Sequence, residues 1–247
     1  MSRITPLPMG WGPMASSSSA ADTVVATLGN RLTHYVNAEY EAPTEETGGV
    51  GTWAGIDGRA GFSQSASGNR PGTTTVSGKE AVSFNESNTD HMDADISDAA
   101  TNSFLWVMAA SFPSAPGNGE RIASVGSDGV NEYPNGNLLV KNSSGLTVEL
   151  AGDTDRFDFA VPTTGTWFVH AIHAVAGVTS LSLDGTVYET DTCSNIFASG
   201  EIIRLGYGLD RKPTTINIGA ALLAKGTIST SEATTVINAI KTYYGVS

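Results

Sequence analysis

The stretch from Thr166 to Thr190 limits the possible folds of this chain more than any other. Its first part, Trp167–Val175, is an almost unbroken apolar run, and Val178–Leu183 alternates between apolar and polar residues. The breaks that follow these runs, Ala176-Gly177 and Asp184-Gly185, are two-residue loops whose glycine tolerates the positive φ of a tight hairpin. The stretch therefore predicts three antiparallel strands in succession, the first deep in a sheet and the second nearer its surface.

Short strands recur along the rest of the chain. The sequence from Leu32 turns to β-branched and aromatic residues and predicts the first strand, whereas Pro43–Gly78 predicts long loops with short strands between them. Further strands are predicted at Lys79–Phe84, Ser103–Phe112, Arg121–Val125, Leu138–Lys141, Leu146–Ala151, Ile202–Gly206 and Ile216–Leu223. Short strands separated by regular turns are typical of an all-β antiparallel sandwich.

Two segments have helical periodicity instead. Near the C-terminus, Ser229 and Glu232 form a capping box, Gly245 follows the last turn, and the apolar positions repeat at helical spacing: Ala233, Val236, Ile237 and Ile240. This pattern predicts a helix over about residues 230–243 that packs on the sandwich. Near the N-terminus, Ala21, Val24, Val25, Leu28 and Leu32 predict one short helix, with Gly29-Asn30 as its stop or interruption.

Length and composition favour one domain. The chain has 247 residues, which all-β sandwiches often reach as one unit, and it combines abundant glycine with few charged residues. We predict an N-terminal arm over residues 1–18 and a single jelly-roll domain over residues 19–247. The arm contains three prolines and a serine run, but Ile4, Leu7, Met9 and Trp11 make it too apolar for a plain solvated linker. Such an arm can pack on its own domain or on a neighbouring subunit, and we expect the neighbour.

Charge and cysteine content exclude some partners and compartments. The net charge of −12 disfavours nucleic acid and anionic membranes as partners. The single cysteine, Cys193, forms no internal disulfide, and neither a signal peptide nor a membrane-spanning segment is predicted. We expect the chain to be made in a reducing cytoplasm.

The order of several motifs identifies a family resemblance. The motifs are the aromatic strand opened by Trp167, WAGIDG from Trp53, Arg70-Pro71, Ala81–Phe84, RIASVG at 121–126 and RLGYG at 204–208. Together with the C-terminal helix they resemble the concanavalin A-like lectin/glucanase superfamily, in particular its laminin-G-like members. The resemblance spans roughly residues 31–247 and implies a jelly-roll sandwich of the kind that phage virion decoration or fibre proteins display.

Catalytic and metal motifs are missing or incomplete. Relatives that hydrolyse β-glucans carry E-x-D-x-x-E on one strand, whereas here Glu39 and Glu41 lack the third acid, so we expect no enzymatic activity. His170 and His173 are three apart on a predicted strand, so their side chains point to opposite faces and do not share a metal. No cofactor is expected. Calcium is the one open possibility, at either of two acid clusters: Asp90, Asp93, Asp95 and Asp98, or Asp153, Asp155 and Asp158.

Sugar binding by relatives of this fold uses loops with an exposed aromatic residue beside Asp and Asn. The resemblance therefore implies two candidate sets of glycan-binding residues, which are Asn131, Tyr133, Asn135 and Asn137, or Tyr207 with Asp210.

Two classes of function remain after these exclusions. The first is a non-enzymatic virion protein that contacts other virion proteins or copies of itself through Ile4, Leu7, Met9 and Trp11 of the arm. The second is a carbohydrate-binding module that adheres to a surface glycan. The absence of a signal peptide and of a cysteine framework favours assembly in a virion.

Overall fold

A computed structural model gives the fold of the protein and describes residues 19–126, 136–141, 145–150, 157–192, 197, 199–207 and 213–247. Two antiparallel sheets pack face to face, and two helices cover the outer face of one of them. The predicted all-β sandwich with an N-terminal and a C-terminal helix is confirmed. Residues 1–18, including Ile4, Leu7, Met9 and Trp11, lie outside the described residues, as does Cys193.

The described strands are short and regularly spaced, as the turn pattern predicts. In chain order they are β1 Leu32–Asn37, β2 Thr44–Glu46, β3 Gly49–Trp53, β4 Phe62–Ser63, β5 Gly72–Val76, β6 Lys79–Phe84, β7 Met92–Asp95, β8 Phe104–Ser111, β9 Arg121–Gly126, β10 Gly136–Lys141, β11 Leu146–Leu150, β12 Phe157–Phe159, β13 Phe168–Val175, β14 Val178–Leu183, β15 Thr186–Thr192, β16 Ile202–Leu205 and β17 Ile216–Lys225. The helices are α1 Ala20–Leu28 and α2 Thr230–Tyr244.

The strands divide into two sheets. Sheet A has the order β15-β14-β13-β8-β17-β6-β5, with β1 also paired to β17, and sheet B has the order β12-β11-β10-β9-β16-β7-β4-β3-β2. The meander predicted from the sequence forms one side of sheet A, where β13 lies between β8 and β14. Both of its predicted turns have positive φ at each central residue, at Ala176-Gly177 and Asp184-Gly185. This is the backbone of a type I′ hairpin turn.

Alternation along the central strands creates two hydrophobic cores. In β13, Phe168 and Ile172 point into the core between the sheets, whereas Val169 and Ala171 point to a second core beneath the helices. His170 lies in the inner set and is completely buried, while His173 lies on the helix side and its Nε2 is 2.7 Å from the carbonyl oxygen of Ile228. The prediction that the two histidines face opposite ways is confirmed.

Both helices begin at capping boxes. Ser19 Oγ accepts from the backbone N–H of Asp22 at 3.0 Å, and Ser229 Oγ accepts from that of Glu232 at 3.3 Å. Arg31, just after α1, donates to Glu232 Oε1 at 2.6 Å and so joins the end of one helix to the start of the other. Among the described residues, no helix is long and apolar enough to cross a membrane.

Three details differ from the sequence pattern. The predicted stop of the N-terminal helix at Gly29, which has a positive φ, is confirmed, but Leu32 belongs to β1 and not to the helix. Trp167 lies just before β13 and packs beneath α2 rather than between the sheets. Met92–Asp95, which the sequence suggests only as an acid cluster, is strand β7 of sheet B.

Candidate functional site

A row of polar residues crosses the outer face of sheet B at one register position. Each pair of neighbours in the row is directly opposed on adjacent strands, and the row runs through Thr44, Thr52, Ser63, Asp93, Arg204, Ser124, Asn137 and Glu149. We call these eight residues the polar row. The residues beside them on the same strands, such as Met92, Ala94, Ile203 and Leu205, point into the inner core. Seven residues of the polar row therefore lie on the face that turns away from the sandwich interior, and the eighth, Asn137, is assigned to the row by its backbone register alone.

Exposure changes along the polar row. Thr44, Thr52 and Ser63 are exposed, whereas Arg204 and Ser124 are buried. Adjacent strands lie about 4.8 Å apart, so the stretch from Thr44 to Asp93 is about 14 Å long. A ligand lying across these strands meets a hydroxyl at each strand and then a pair of charged groups.

The charged pair is Asp93 and Arg204. Arg204 Nε donates to Asp93 Oδ1 and Nη2 donates to Oδ2, each at 2.7 Å, so the pair is bidentate. The Arg204 side chain is nearly buried and that of Asp93 is partly exposed. Such a pair fixes both side chains in one geometry, because its two parallel charged hydrogen bonds define direction as well as distance.

Aromatic rings stand beside this pair. The Arg204 guanidinium lies 5.9 Å from the centre of the Tyr207 ring, and the Tyr207 ring lies 5.5 Å from that of His91. His91 is held in turn, with Nδ1 2.9 Å from the Thr89 carbonyl oxygen. Tyr207 is half-buried. The arrangement gives a partly accessible aromatic ring next to fixed charged hydrogen-bonding groups.

Asp90 supplies an unusual carboxyl group close to this end of the site. It is buried, its Oδ2 accepts from the backbone N–H of Asn85 at 3.0 Å, and its Oδ1 has no hydrogen-bond partner. Burial raises the pKa of Asp90 above its ordinary value, and the Asn85 hydrogen bond only partly opposes this effect.

The structure places only part of the predicted glycan-binding sets. Asn137 belongs to the polar row by its backbone register, and Tyr207 lies beside Arg204. Asn131, Tyr133, Asn135 and Asp210 fall outside the described residues.

Asn137 and Tyr207 are the two described members of the predicted sets, and each is placed by a neighbouring residue of β9. The backbone of Asn137 pairs with Ser124, towards the Gly126 end of the strand. At the other end, the N–H of Gly206 donates to the carbonyl oxygen of Ile122 at 2.9 Å, and Tyr207 follows directly. The polar row was not predicted, because its members come from eight strands, most of them far apart in the sequence.

The acid clusters do not form a metal site in the part of the chain that the structure describes. Of the first cluster, Asp93 is paired with Arg204 and Asp90 binds the Asn85 backbone. Among the described residues, no group of three or more His, Cys, Asp and Glu side chains is placed to hold a metal ion. In the second cluster, Asp153 and Asp155 lie outside the described residues, and only the backbone of Asp158 is described.

Comparison with known proteins supports the fold. No family model and no curated protein matches the sequence. Solved structures do match. Domain 4 of AbnA, a GH43 extracellular arabinanase from Geobacillus stearothermophilus in complex with arabinotriose, aligns with a TM-score of 0.56 at 15% identity, over 83% of this chain and 98% of that chain.

Two further solved structures show the same likeness. The ligand-binding domain of botulinum neurotoxin serotype D, in complex with N-acetylneuraminic acid, aligns with a TM-score of 0.59 at 11% identity, over 87% of this chain and 52% of that chain. Trypanosoma rangeli sialidase in complex with sialic acid aligns with a TM-score of 0.57 at 10% identity, over 83% of this chain but 32% of that chain. The chain thus spans about half of the toxin domain and a third of the sialidase. At these identities the likeness shows a β-sandwich of the jelly-roll, concanavalin-like type.

Proposed function

We propose that this protein binds carbohydrate on the outer face of sheet B, and the polar row is the observation that carries this proposal. Hydroxyl, carboxylate and guanidinium groups are aligned across adjacent strands, and an aromatic ring stands beside them. A sugar offers both hydroxyls and an apolar ring face, so it matches a surface that combines hydrogen-bonding groups with a tyrosine. Complexes of two structural neighbours with arabinotriose and N-acetylneuraminic acid support the same class of ligand.

The charged pair, Asp93 and Arg204, gives this surface hydrogen-bonding groups of fixed orientation. Because Asp93 and Arg204 already fix each other, they do not have to be ordered when a ligand arrives, which lowers the entropic cost of binding. The exposed hydroxyls of Thr52 and Ser63 then supply hydrogen bonds along the ligand. We propose binding without hydrolysis.

The test is a binding screen followed by a matched pair of variants. Arabino-oligosaccharides and sialosides are the first probes, and calorimetry measures the Kd of any that bind. Thr52→Arg places a long charged side chain in the polar row, so we expect it to weaken binding at least about tenfold, or about 1.4 kcal/mol. Thr75→Arg is the control, because Thr75 is an equally exposed strand threonine in sheet A.

Two results would overturn the proposal. One is the absence of binding to any probe in a broad glycan screen. The other is a glycan whose Kd is the same for Thr52→Arg, Thr75→Arg and the unaltered protein, because the ligand would then bind elsewhere.

As a second candidate function, we propose that the sandwich is a laminin-G-like unit displayed on a phage virion. Its support is the order of the sequence motifs. Detection of the mature chain in an assembled particle by mass spectrometry would support this role. It is compatible with glycan binding, since a displayed module can also adhere to a surface.

A further inference from the structure

A groove of about 600 Å³ separates α1 from α2 on the side of the molecule that bears the helices. Its walls combine small residues, such as Ala20 and Ala239, with the rings of Tyr40 and Tyr243. None of the residues that line it is charged, although the whole chain carries 38 acidic and basic residues, 25 Asp and Glu with 13 Lys and Arg. An uncharged groove with aromatic walls is a surface suited to an apolar segment.

The two rings of the aromatic wall contact each other, and one of them also contacts a lysine. The rings of Tyr40 and Tyr243 lie 5.7 Å apart, and the ammonium group of Lys79 sits 3.9 Å from the centre of the Tyr243 ring. Tyr40 is one of the few large apolar side chains in the described structure with more than a third of its surface exposed. The wall therefore presents fixed aromatic surface to whatever occupies the groove.

The described chain begins at the edge of this groove, because Ser19 is one of its lining residues. The residues that precede Ser19 match the groove in chemistry. Residues 4–18 contain no charged side chain, and they carry Pro6, Pro8 and Pro13 among Leu7, Met9 and Trp11. Proline-rich segments dock in aromatic-lined grooves because their extended conformation is already formed and little entropy is lost on binding.

We propose that residues 1–18 fold back into the α1–α2 groove of their own chain, with the proline-rich segment against Tyr40 and Tyr243. The length suffices, because twelve residues in the polyproline conformation extend about 37 Å whereas a 15-residue helix such as α2 is about 22 Å long. A segment tethered at the groove edge also has an effective concentration of the order of millimolar, so its own groove outcompetes that of a second copy at lower protein concentrations.

A matched pair of helix positions makes the test specific. Thr234 and Thr235 are adjacent and exposed, and each donates its hydroxyl hydrogen bond one turn back along α2 at 2.8 Å. Thr235 lines the groove, whereas Thr234 does not. Thr235→Arg therefore fills the groove with a charge, and Thr234→Arg makes the same chemical change outside it.

The measurement is the rate at which chymotrypsin cuts the full chain after Trp11, followed by intact-mass spectrometry. We expect Thr235→Arg to be cut at least about tenfold faster than the unaltered protein, because cleavage follows the population of the undocked segment, and Thr234→Arg to be cut at the unaltered rate. Tyr40→Ser, which alters the wall outside α2, should also accelerate the cut, and it serves as the second variant if Thr235→Arg does not fold.

Dilution of the protein distinguishes an arm that docks on its own chain from an arm that docks on a second copy. A cleavage rate that stays constant over a hundredfold dilution, with a monomer in sedimentation, supports docking within one chain. A rate that rises on dilution would show that the segment lies on a second copy and would overturn the proposal. Equal rates for all four proteins would overturn it as well, because the groove would then hold no part of the arm.

Discussion

At the scale of single residues, two buried side chains carry properties that solution experiments can measure. His170 is completely buried in the inner core, neither ring nitrogen has a hydrogen-bond partner, and the ring stands edge-on to Phe159 at 6.0 Å. The sequence predicts that His170 and His173 face apart, but it does not show which of them enters the dry core. The structure shows that His170 enters the core without a hydrogen-bond partner, whereas His173 Nε2 lies 2.7 Å from the carbonyl oxygen of Ile228.

We predict that acid destabilises the fold through His170. Burial lowers its pKa to about 3, whereas an unfolded histidine titrates near 6.5, so between these values the unfolded state binds more protons. The free energy of unfolding therefore keeps its full value above about pH 6.5. It decreases as the pH is lowered, by about 2 kcal/mol at pH 5. Denaturant melts of the unaltered protein and His170→Leu at pH 7 and pH 5 test this.

The His170→Leu variant also controls for the titration of other side chains. Burial lowers the pKa of His34 and raises that of Asp90, and both residues remain in His170→Leu. Only the pH dependence of the difference between the two proteins belongs to His170. A difference that is the same at both pH values would contradict the prediction.

Trp167 is the second informative residue. Its side chain is 7% exposed, its indole Nε1 donates to the Val76 carbonyl oxygen at 3.0 Å, and its ring lies 4.5 Å from that of Tyr244. We predict that Trp167→Ala lowers the free energy of unfolding by about 3–5 kcal/mol, through lost burial and the cavity that remains. Chemical denaturation measures the loss. Trp167→Phe should lose less, because it keeps a ring against Tyr244, and a loss below about 1 kcal/mol for the alanine variant would be inconsistent with this packing.

At the scale of elements, the sequence predicts best what local chemistry decides. The capping box at Ser229, the glycine that ends α2 and the type I′ turns of the meander depend on a few adjacent residues, and all of them appear in the structure. Strand β7 was missed because its outward residues, Asp93 and Asp95, make a half-buried strand look like an acidic turn. The polar row lay beyond prediction, since it depends on which distant strands pair.

The packing of α2 on sheet A depends on one close contact between β17 and the aromatic side chains above it. Gly219 of β17 lies beneath the helix, where an added Cβ would come within 2.6 Å of Tyr244 and 2.8 Å of Trp167. We predict that Gly219→Ala destabilises the protein by about 1–3 kcal/mol, because both aromatic rings must shift. Gly72→Ala in β5 is the control, because an added Cβ there meets no atom within 4 Å. Thermal or denaturant unfolding compares the two, and equal stabilities would show that α2 does not pack as closely as described.

At the scale of the whole molecule, the two outer faces of the sandwich have different surroundings. The outer face of sheet A is covered by α1 and α2 and forms a second hydrophobic core. The outer face of sheet B carries the polar row, with its exposed hydroxyls at one end and its buried ion pair further along. The helices thus cover the outer face of sheet A, whereas Thr44, Thr52 and Ser63 on the outer face of sheet B are exposed.

The same face bears on whether the protein is an enzyme. Asp93 and Asp95 both point outward from β7, and their Cα atoms lie about 6.7 Å apart along the strand, so two carboxylates share one face as they do in glycoside hydrolases. The sequence pattern does not reveal this pair, because it does not predict β7. However, a hydrolase needs each carboxyl free to act as acid, base or nucleophile, and both oxygens of Asp93 are held by Arg204.

We therefore predict that the purified protein releases no reducing sugar from the glycans proposed as its ligands. Reducing-end assays on arabinan, β-glucan and sialoside substrates measure this, with Asp93→Asn and Asp95→Asn as matched variants of the two carboxyls. Sugar release that is lost in Asp95→Asn would show that the pair is catalytic despite the Arg204 contact. Binding that survives in Asp95→Asn, with no release from any of the three proteins, is the outcome expected of a surface that holds a glycan without cutting it.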